Sequence, residues 1–390
     1  MTDKKSSYLP IYLLMGAFFL NDFSIGGVEN GGGGSFSDIF ILIGIVITIT
    51  NSKKISLIQF LVSLMTLSVV LINFVIHINL SFDTFTFSNS FTFILKILTY
   101  MLYSINTYNY IKLNNLELKT IDILVKSSIV FCLISLYIHL ALYTQKLPYE
   151  FFWKFTRQDM NSYAYKGSTS IIRMRGLTKE PAHFGMVITA VLGIAYFNDF
   201  GYKISKVNDL LITICCILTF SFSTIPIFIM LKVVNHFKKY GINYVLNKKI
   251  IISFFTALII YFIFQDEINT TLFTRLFSLL DGRDTSGTSR LVGSWDYVNN
   301  LFIGNGVGQT PVIFNNFAYI LSDFGIIPLI LFFLFVGYLC YKNMYLGLLL
   351  VVFSFQRGGY LSAYYWCKIL LFFVSSYKSR VKESSKFKKM

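Results

Sequence analysis

The chain has 390 residues, of which 55% are hydrophobic and only 14% are charged, and its mean hydropathy is +0.62. Its 34 Lys and Arg residues against 19 Asp and Glu residues give a formal net charge of +15. Apolar runs without amphipathic stripes exclude a water-soluble globular protein, and the lack of alternating ten-residue segments excludes a closed β-barrel. We therefore expect an all-α, polytopic integral membrane protein.

The apolar runs predict about twelve transmembrane helices, since a bilayer core needs about 20 apolar residues per helix. These spans are expected near 9–26, 36–51, 56–80, 90–111, 120–143, 181–198, 207–222, 223–235, 250–265, 313–340, 343–356 and 360–376. The pair 207–235 is short and holds Pro226 near its turn, which allows either two spans or a broken hairpin. The N-terminal run predicts a first span that is retained, and the whole chain, 1–390, forms a single membrane domain.

Lysines in the short connections all fall on one side of this topology, together with both termini. By the positive-inside rule this side is cytoplasmic, and the two long connections, about 144–180 and 266–312, are outer loops. The lysines do not indicate nucleic-acid binding, because helix orientation and contact with anionic membrane lipid account for them. We expect a multi-pass protein with both termini in the cytoplasm.

Arginines are distributed differently from lysines, since seven of the eight lie on the outer side and only Arg380 does not. A guanidinium group binds phosphate through two parallel hydrogen bonds, whereas an ammonium acts as a point charge. This one-sidedness predicts an anionic ligand at the outer face; pairing with local carboxylates is the alternative. The outer arginines are Arg157, Arg173, Arg175, Arg275, Arg283, Arg290 and Arg357.

The stretch "RMRGLTKEPAHFG", 173–185, concentrates charge at the end of the first outer loop. Pro181 suits the first position of a helix, and an acid just before it meets the positive helix end. Glu180 and His183 are three residues apart and share a helix face. The aromatic segment before this stretch predicts an interfacial helix or lid.

The second outer loop carries Gly304, Gly306 and Gly308. Such a turn could approach a phosphate closely, but an ordinary turn accounts for it equally well. Asp281 and Asp284 supply too few oxygen ligands for a hard cation, so no metal site is expected.

Cysteines and lysines within the predicted spans have simple interpretations. All five cysteines fall inside spans and are expected to pack there. Three lysines within spans are expected to extend their ammonium groups to an interface. These are Lys96, Lys126 and Lys368.

The segment "RGLTKEPAHFG", followed by a span, resembles the signature of the bacterial O-antigen polymerase and ligase superfamily. The second outer loop is similar too, with Arg290, Trp295, the glycine-rich turn and then "NNFAYILSDFGIIPLI". The motifs cover roughly 170 to 330. The hairpin "TFSFSTIPIF" lacks the arginine of many members, and Asn315 and Asn316 stand where ligases carry a functional histidine. The polymerases, the type called Wzy, are therefore the closer match.

This resemblance implies a metal-independent glycosyltransferase that uses no cofactor. It implies transfer of a growing glycan from polyprenyl (undecaprenyl) pyrophosphate to a hydroxyl of the next lipid-linked repeat unit, at the outer face of the bacterial inner membrane. It also implies a chain-length regulator protein as a candidate partner. An O-antigen ligase and a lipid-linked oligosaccharide flippase or other transporter remain the alternatives.

Site residues follow from the charged segments together with the resemblance. Arg175 and Arg290 would stabilise the leaving pyrophosphate, and Glu180 would act as general base with His183 in reserve. Glu180 could instead be a helix-start acid paired with Arg175. The expected substrate-binding residues are Arg173, Lys179, Arg283, Gly304, Gly306, Gly308 and Arg357.

Overall fold

A computed structural model describes residues 7–23, 35–49, 55–80, 86–153, 164–165, 168–241, 292–356 and 359–376, with isolated positions between 262 and 289. The expected helical architecture is confirmed in these residues. The helices are α1 (Leu9–Phe19), α2 (Phe36–Ile49), α3 (Leu57–Leu80), α4 (Phe87–Leu113), α5 (Glu117–Thr144), α6 (Pro181–Phe197), α7 (Lys206–Leu218), α8 (Ile225–Tyr240), α9 (Asn316–Phe324), α10 (Ile326–Lys342), α11 (Met344–Gln356) and α12 (Ala363–Ser376).

Two of these helices, α3 and α5, are long and apolar enough to cross a membrane by length and composition. Six shorter helices of the described chain, α1, α2, α6, α10, α11 and α12, are also apolar. Helix α3 has a mean hydropathy of 2.3 over its most apolar window, yet it buries only Val70, Asn73 and His77. Its remaining surface exposes large apolar side chains, including Leu57, Ile58, Phe60, Val62, Met65, Ile72 and Val75.

Helix α6 lies at the centre of the main core. It packs against α5, α7, α8, α11 and α12, and almost all of its residues are buried. A helix that is apolar on all sides suits such an environment, because it has no polar face to present to water. The N-terminal end of α6 carries the charged segment, so the centre of the fold holds that segment in place.

Helices α7 and α8 form the broken hairpin that the sequence allowed as one alternative. Helix α7 ends at Leu218, residues 219–224 turn, and α8 begins at Ile225 with Pro226 in its first turn. At 1.5 Å per residue, the 13 residues of α7 extend only about 20 Å, short of a bilayer core of about 30 Å. An ion pair of 2.7 Å joins the two helices, between Asp209 in the first turn of α7 and Lys232 midway along α8.

The single span expected near 313–340 is wrong, because the helix breaks at Gly325 into α9 and α10. Gly325 has φ +83°, and a Cβ there would lie 2.1 Å from the carbonyl oxygen of Phe302. Only glycine fits this close backbone approach without strain. Helix α9 therefore has nine residues and lies against the glycine-rich turn. The span expected near 250–265 falls outside the described residues.

In its described part, the first long loop contains no interfacial helix of the kind predicted. It has a 3-10 turn at Glu150–Trp153 and an antiparallel pair of strands, β1 (Ala164–Tyr165) and β2 (Ser168–Ile172). Strand β2 leads directly into the charged segment. This small hairpin is an exception to the all-α expectation.

Candidate active site

The charged segment 173–180 runs from β2 to α6 and lies against the tip of the α7–α8 hairpin. The amide of Met174 donates to the carbonyl oxygen of Leu218 at 2.8 Å, and Arg173 Nε donates to the carbonyl oxygen of Thr219 at 3.3 Å. The tip of the short α7–α8 hairpin therefore contacts this segment directly. These contacts hold Arg173 at the edge of the site.

A tight turn at 175–178 follows, and it depends on Gly176. This residue has φ +53°, and a Cβ on it would lie 1.9 Å from Ser135 Oγ of α5. The Thr178 hydroxyl closes the turn by donating to the carbonyl oxygens of Arg175, at 2.8 Å, and Glu180, at 2.9 Å. The glycine of the "RGL" pattern is therefore required both by backbone conformation and by packing.

Arg175 lies inside this turn rather than on the surface, with 1% of its area exposed. Its Nη1 donates to the carbonyl oxygen of Lys179 at 3.0 Å. The amide of Lys179 in turn donates to Asp22 Oδ2 at 2.8 Å. The two peptide groups of Lys179 therefore connect the guanidinium group of Arg175 to the carboxylate of Asp22.

Asp22 and His183 form a buried pair at the centre of the segment, with 2.5 Å between His183 Nδ1 and Asp22 Oδ2. Asp22 follows the end of α1, and His183 lies in the first turn of α6. An ionised carboxylate only accepts hydrogen bonds, so Nδ1 of His183 is the donor when Asp22 is ionised. In that tautomer Nε2 of a neutral imidazole has the free lone pair. A carboxylate that holds an imidazole in this tautomer is the arrangement by which enzymes orient a histidine base.

The aromatic ring of Tyr364, in the first turn of α12, packs edge-on against the His183 ring with 5.3 Å between centroids. Tyr364 also stacks on Phe18, and its amide donates to Asn21 Oδ1 at 3.2 Å. Helices α1, α6 and α12 therefore meet at the Asp22–His183 pair. This packing restricts the orientation of the imidazole.

Glu180 is the residue before α6, with extended backbone angles, and Pro181 begins the helix as the sequence predicts. The Glu180 side chain makes no capping hydrogen bond to the helix. Its carbonyl oxygen accepts from the amides of His183, at 3.1 Å, and Phe184, at 3.2 Å. Glu180 is half-buried beside His183, so both candidate bases belong to one site.

The three glycines of the second loop lie in a different part of the chain, packed on α9 and α3. The carboxylate of Asp323 accepts from the amides of Gly308, at 3.1 Å, and Thr310, at 3.0 Å, and from the Tyr360 hydroxyl. The amide of Gly306 donates to the Asp323 carbonyl oxygen at 3.0 Å, and that of Gly304 to Asn300. Amides that could have received a phosphate thus bind the protein's own backbone and carboxylate. This geometry is that of an ordinary turn, which was the alternative to a phosphate-binding turn.

The other predicted site residues are distributed as follows. Lys179 is half-buried and belongs to the segment. Arg283, Arg290 and Arg357 lie outside the described residues. Across the described ranges, no group of three or more His, Cys, Asp or Glu side chains converges as a metal site.

Asp22 and Tyr364 belong to this site and were missed by sequence reasoning, which also misplaced the ammonium of Lys368. Asp22 had a usable signal, because it is the one carboxylate within the first predicted span, 9–26, and it lies toward the end of that span on the same predicted side as the arginines. Lys368 was expected to reach an interface but is 1% exposed. Tyr364 had no signal that distinguished it among 25 tyrosines.

Comparison of the chain with protein-family models, with curated proteins and with solved structures gives no significant match.

Proposed function

We propose that this chain is a membrane-embedded polysaccharide polymerase that resembles the O-antigen polymerases. In this proposal a growing glycan leaves its polyprenyl pyrophosphate carrier and joins a hydroxyl of the next lipid-linked repeat unit. The observation that carries the proposal is the buried Asp22–His183 pair beside Arg175. It provides a positioned base and a cation in the same segment that bears the resemblance.

A membrane location is supported by the apolar surface of the helices. A soluble protein rarely exposes large contiguous apolar patches, whereas α3 exposes apolar side chains along its whole length. We propose about twelve spans in a bacterial inner membrane, with both termini cytoplasmic and the site at the outer face. A cysteine at Lys146 should then react with an impermeant thiol reagent from outside, and one at Lys203 should not. The reverse pattern would contradict this orientation.

The proposed reaction is a substitution at the anomeric carbon of the donor sugar. The acceptor hydroxyl oxygen forms a bond to C1, the bond from C1 to the pyrophosphate oxygen breaks, and the lipid pyrophosphate leaves with both bonding electrons. His183 Nε2 accepts the proton of the hydroxyl while Asp22 stabilises the imidazolium that forms. This exchanges the order of the two bases expected from sequence, with Glu180 now in reserve.

Charge that develops on the leaving pyrophosphate requires cations arranged in advance. In this proposal Arg173 and Arg175 of the charged segment supply such cations, and Arg290, Arg283 and Arg357 remain candidates from outside the described residues. A metal is dispensable in this scheme because pyrophosphate is already a good leaving group. The chain-length regulator remains a candidate partner.

A ligase of the same superfamily is the nearest alternative. The residues that replace its functional histidine have structural hydrogen bonds instead. Asn315 Oδ1 caps α9, and Asn316 Nδ2 donates to the Tyr365 hydroxyl at 3.0 Å. These contacts favour the polymerase.

A flippase is the alternative from another class, and the buried Lys368 favours it, since transporters place ionisable residues within the membrane. Glycan profiling of a deletion strain separates the three functions. Lipid capped with a single repeat unit is expected for a polymerase. Complete loss of glycan from its lipid anchor would indicate a ligase, and loss of outward-facing lipid-linked units would indicate a flippase.

A further inference from the structure

Lys368 is a fully buried lysine in the second turn of α12. Only 1% of its area is exposed, so its ammonium does not reach an interface. Its Nζ lies over three aromatic rings, 5.2 Å from the centroid of Phe353 and 5.3 Å from those of Tyr364 and Tyr365. Aromatic rings attract an ammonium group through cation–π interaction.

The contrast with other lysines shows what Lys368 lacks. Lys112, Lys126 and Lys232 each pair with a carboxylate, at 2.9, 3.0 and 2.7 Å respectively. For Lys368, the described part of the chain provides neither a hydrogen-bond partner for Nζ nor a carboxylate within 4.0 Å. A buried charge without a counter-charge destabilises a fold, whereas a methionine of similar length would not. Folding alone does not explain this lysine.

The direction of the Lys368 side chain points to its partner. Side chains on a helix lean toward the helix N-terminus, and Lys368 accordingly lies over Tyr364, four residues earlier. Tyr364 is the residue whose ring packs against His183 at 5.3 Å. A single aromatic ring therefore separates the ammonium from the proposed catalytic histidine.

We propose that the buried ammonium of Lys368 belongs to the site of Asp22 and His183 and that it binds a pyrophosphate group. The inference rests on the proposed function and deepens it, because it assigns a residue outside the charged segment to the carrier. Pyrophosphate supplies the counter-charge that the described residues do not. A lysine ammonium has three donors on a flexible four-carbon stem, so a rotation about that stem can turn it past Tyr364 toward the ligand.

Binding measurements on the purified full-length chain in detergent test this assignment. The probes are farnesyl pyrophosphate, inorganic pyrophosphate and farnesol, which together separate the pyrophosphate group from its lipid. The variants are Lys368→Met, Lys368→Arg and the control Lys126→Met, which removes an exposed lysine of α5. The melting temperature of each variant is recorded without ligand.

Lys368→Met should bind both pyrophosphates roughly 30-fold more weakly or worse, as expected when one partner of a buried charge pair is truncated. It should melt at or above the wild-type temperature. Lys368→Arg should retain part of the affinity, Lys126→Met should bind like wild type, and farnesol should bind all four proteins alike. Dependence on farnesyl pyrophosphate alone would assign the site to the lipid-linked form.

Two results would overturn the inference. One is wild-type affinity of Lys368→Met for both pyrophosphates. The other is a melting temperature of Lys368→Met well below wild type, which would make the ammonium a structural group. Chain growth from a lipid-linked repeat unit is measured separately. If pyrophosphate binding depends on Lys368 but the protein shows no chain growth, the polymerase proposal is wrong and the pyrophosphate site stands. If chain growth occurs but binding does not depend on Lys368, the polymerase proposal stands and the Lys368 site is wrong.

Discussion

The pairing of Asp22 with His183 allows a quantitative test of which residue is the base. Three variants are compared with wild type: Asp22→Asn, His183→Gln and the double variant. Each keeps the size of the side chain in a site where both residues are buried. Asparagine can still accept the hydrogen bond from the Lys179 amide, which the structure places at 2.8 Å from Asp22 Oδ2. The local fold should therefore survive.

The expected losses follow from the hydrogen bond of 2.5 Å between the two side chains. A positioned base contributes about 10²–10⁴-fold, so His183→Gln should lose turnover in that range. A hydrogen bond to a charged group stabilises by about 1–2 kcal/mol more than a neutral one. Asp22→Asn should therefore slow turnover roughly 10-fold, since about 1.4 kcal/mol corresponds to a factor of ten. Without the imidazole the carboxylate has nothing to assist, so the double variant should equal His183→Gln.

Chain growth of a synthetic lipid-linked repeat unit by purified protein, resolved on gels, provides the rates. Asp209→Asn is a matched control, because Asp209 is a carboxylate that pairs with Lys232 at 2.7 Å near the start of α7, the end of that helix away from the tip that contacts the segment. It should retain normal turnover. Retention of at least half of normal turnover by Asp22→Asn would refute the reasoning. So would a double variant whose loss is the product of the two single losses, which is the behaviour of independent residues.

Three further predictions concern the same segment. Glu180→Gln should lower turnover only a few-fold in the chain-growth assay; a loss near 10²-fold would return the base role to Glu180. Gly176→Ala should lower the melting temperature much more than Gly201→Ala, because both have positive φ but only Gly176 faces a clash, at 1.9 Å; equal shifts would contradict the packing account. Arg175→Lys should be nearly as slow as Arg175→Ala, since lysine loses the planar fork of donors; near-normal chain growth by the lysine variant would show that charge alone suffices.

The amino-acid sequence by itself determined the features that depend on neighbouring residues. The helical class follows from apolar runs, and the start of α6 follows from Pro181, whose ring suits a first helical position. The broken α7–α8 hairpin could be anticipated as one of two alternatives, because its length and Pro226 are local properties. The arginine segment was found in the same way, as a local excess of charge in an apolar chain.

Only the tertiary structure decided which distant groups meet. Asp22 and His183 are 161 residues apart, and no local sequence pattern predicts that the end of α1 lies next to the start of α6. From sequence, the glycine-rich turn could bind a phosphate, but in the structure Asp323 accepts hydrogen bonds from the amides of this turn. From sequence, the Lys368 ammonium could reach an interface, but in the structure side chains of α11 and α12 surround it. Which side chains are buried or paired depends on which helix faces pack together. That packing is set by contacts between residues far apart in the sequence, and apolar composition alone does not determine those contacts.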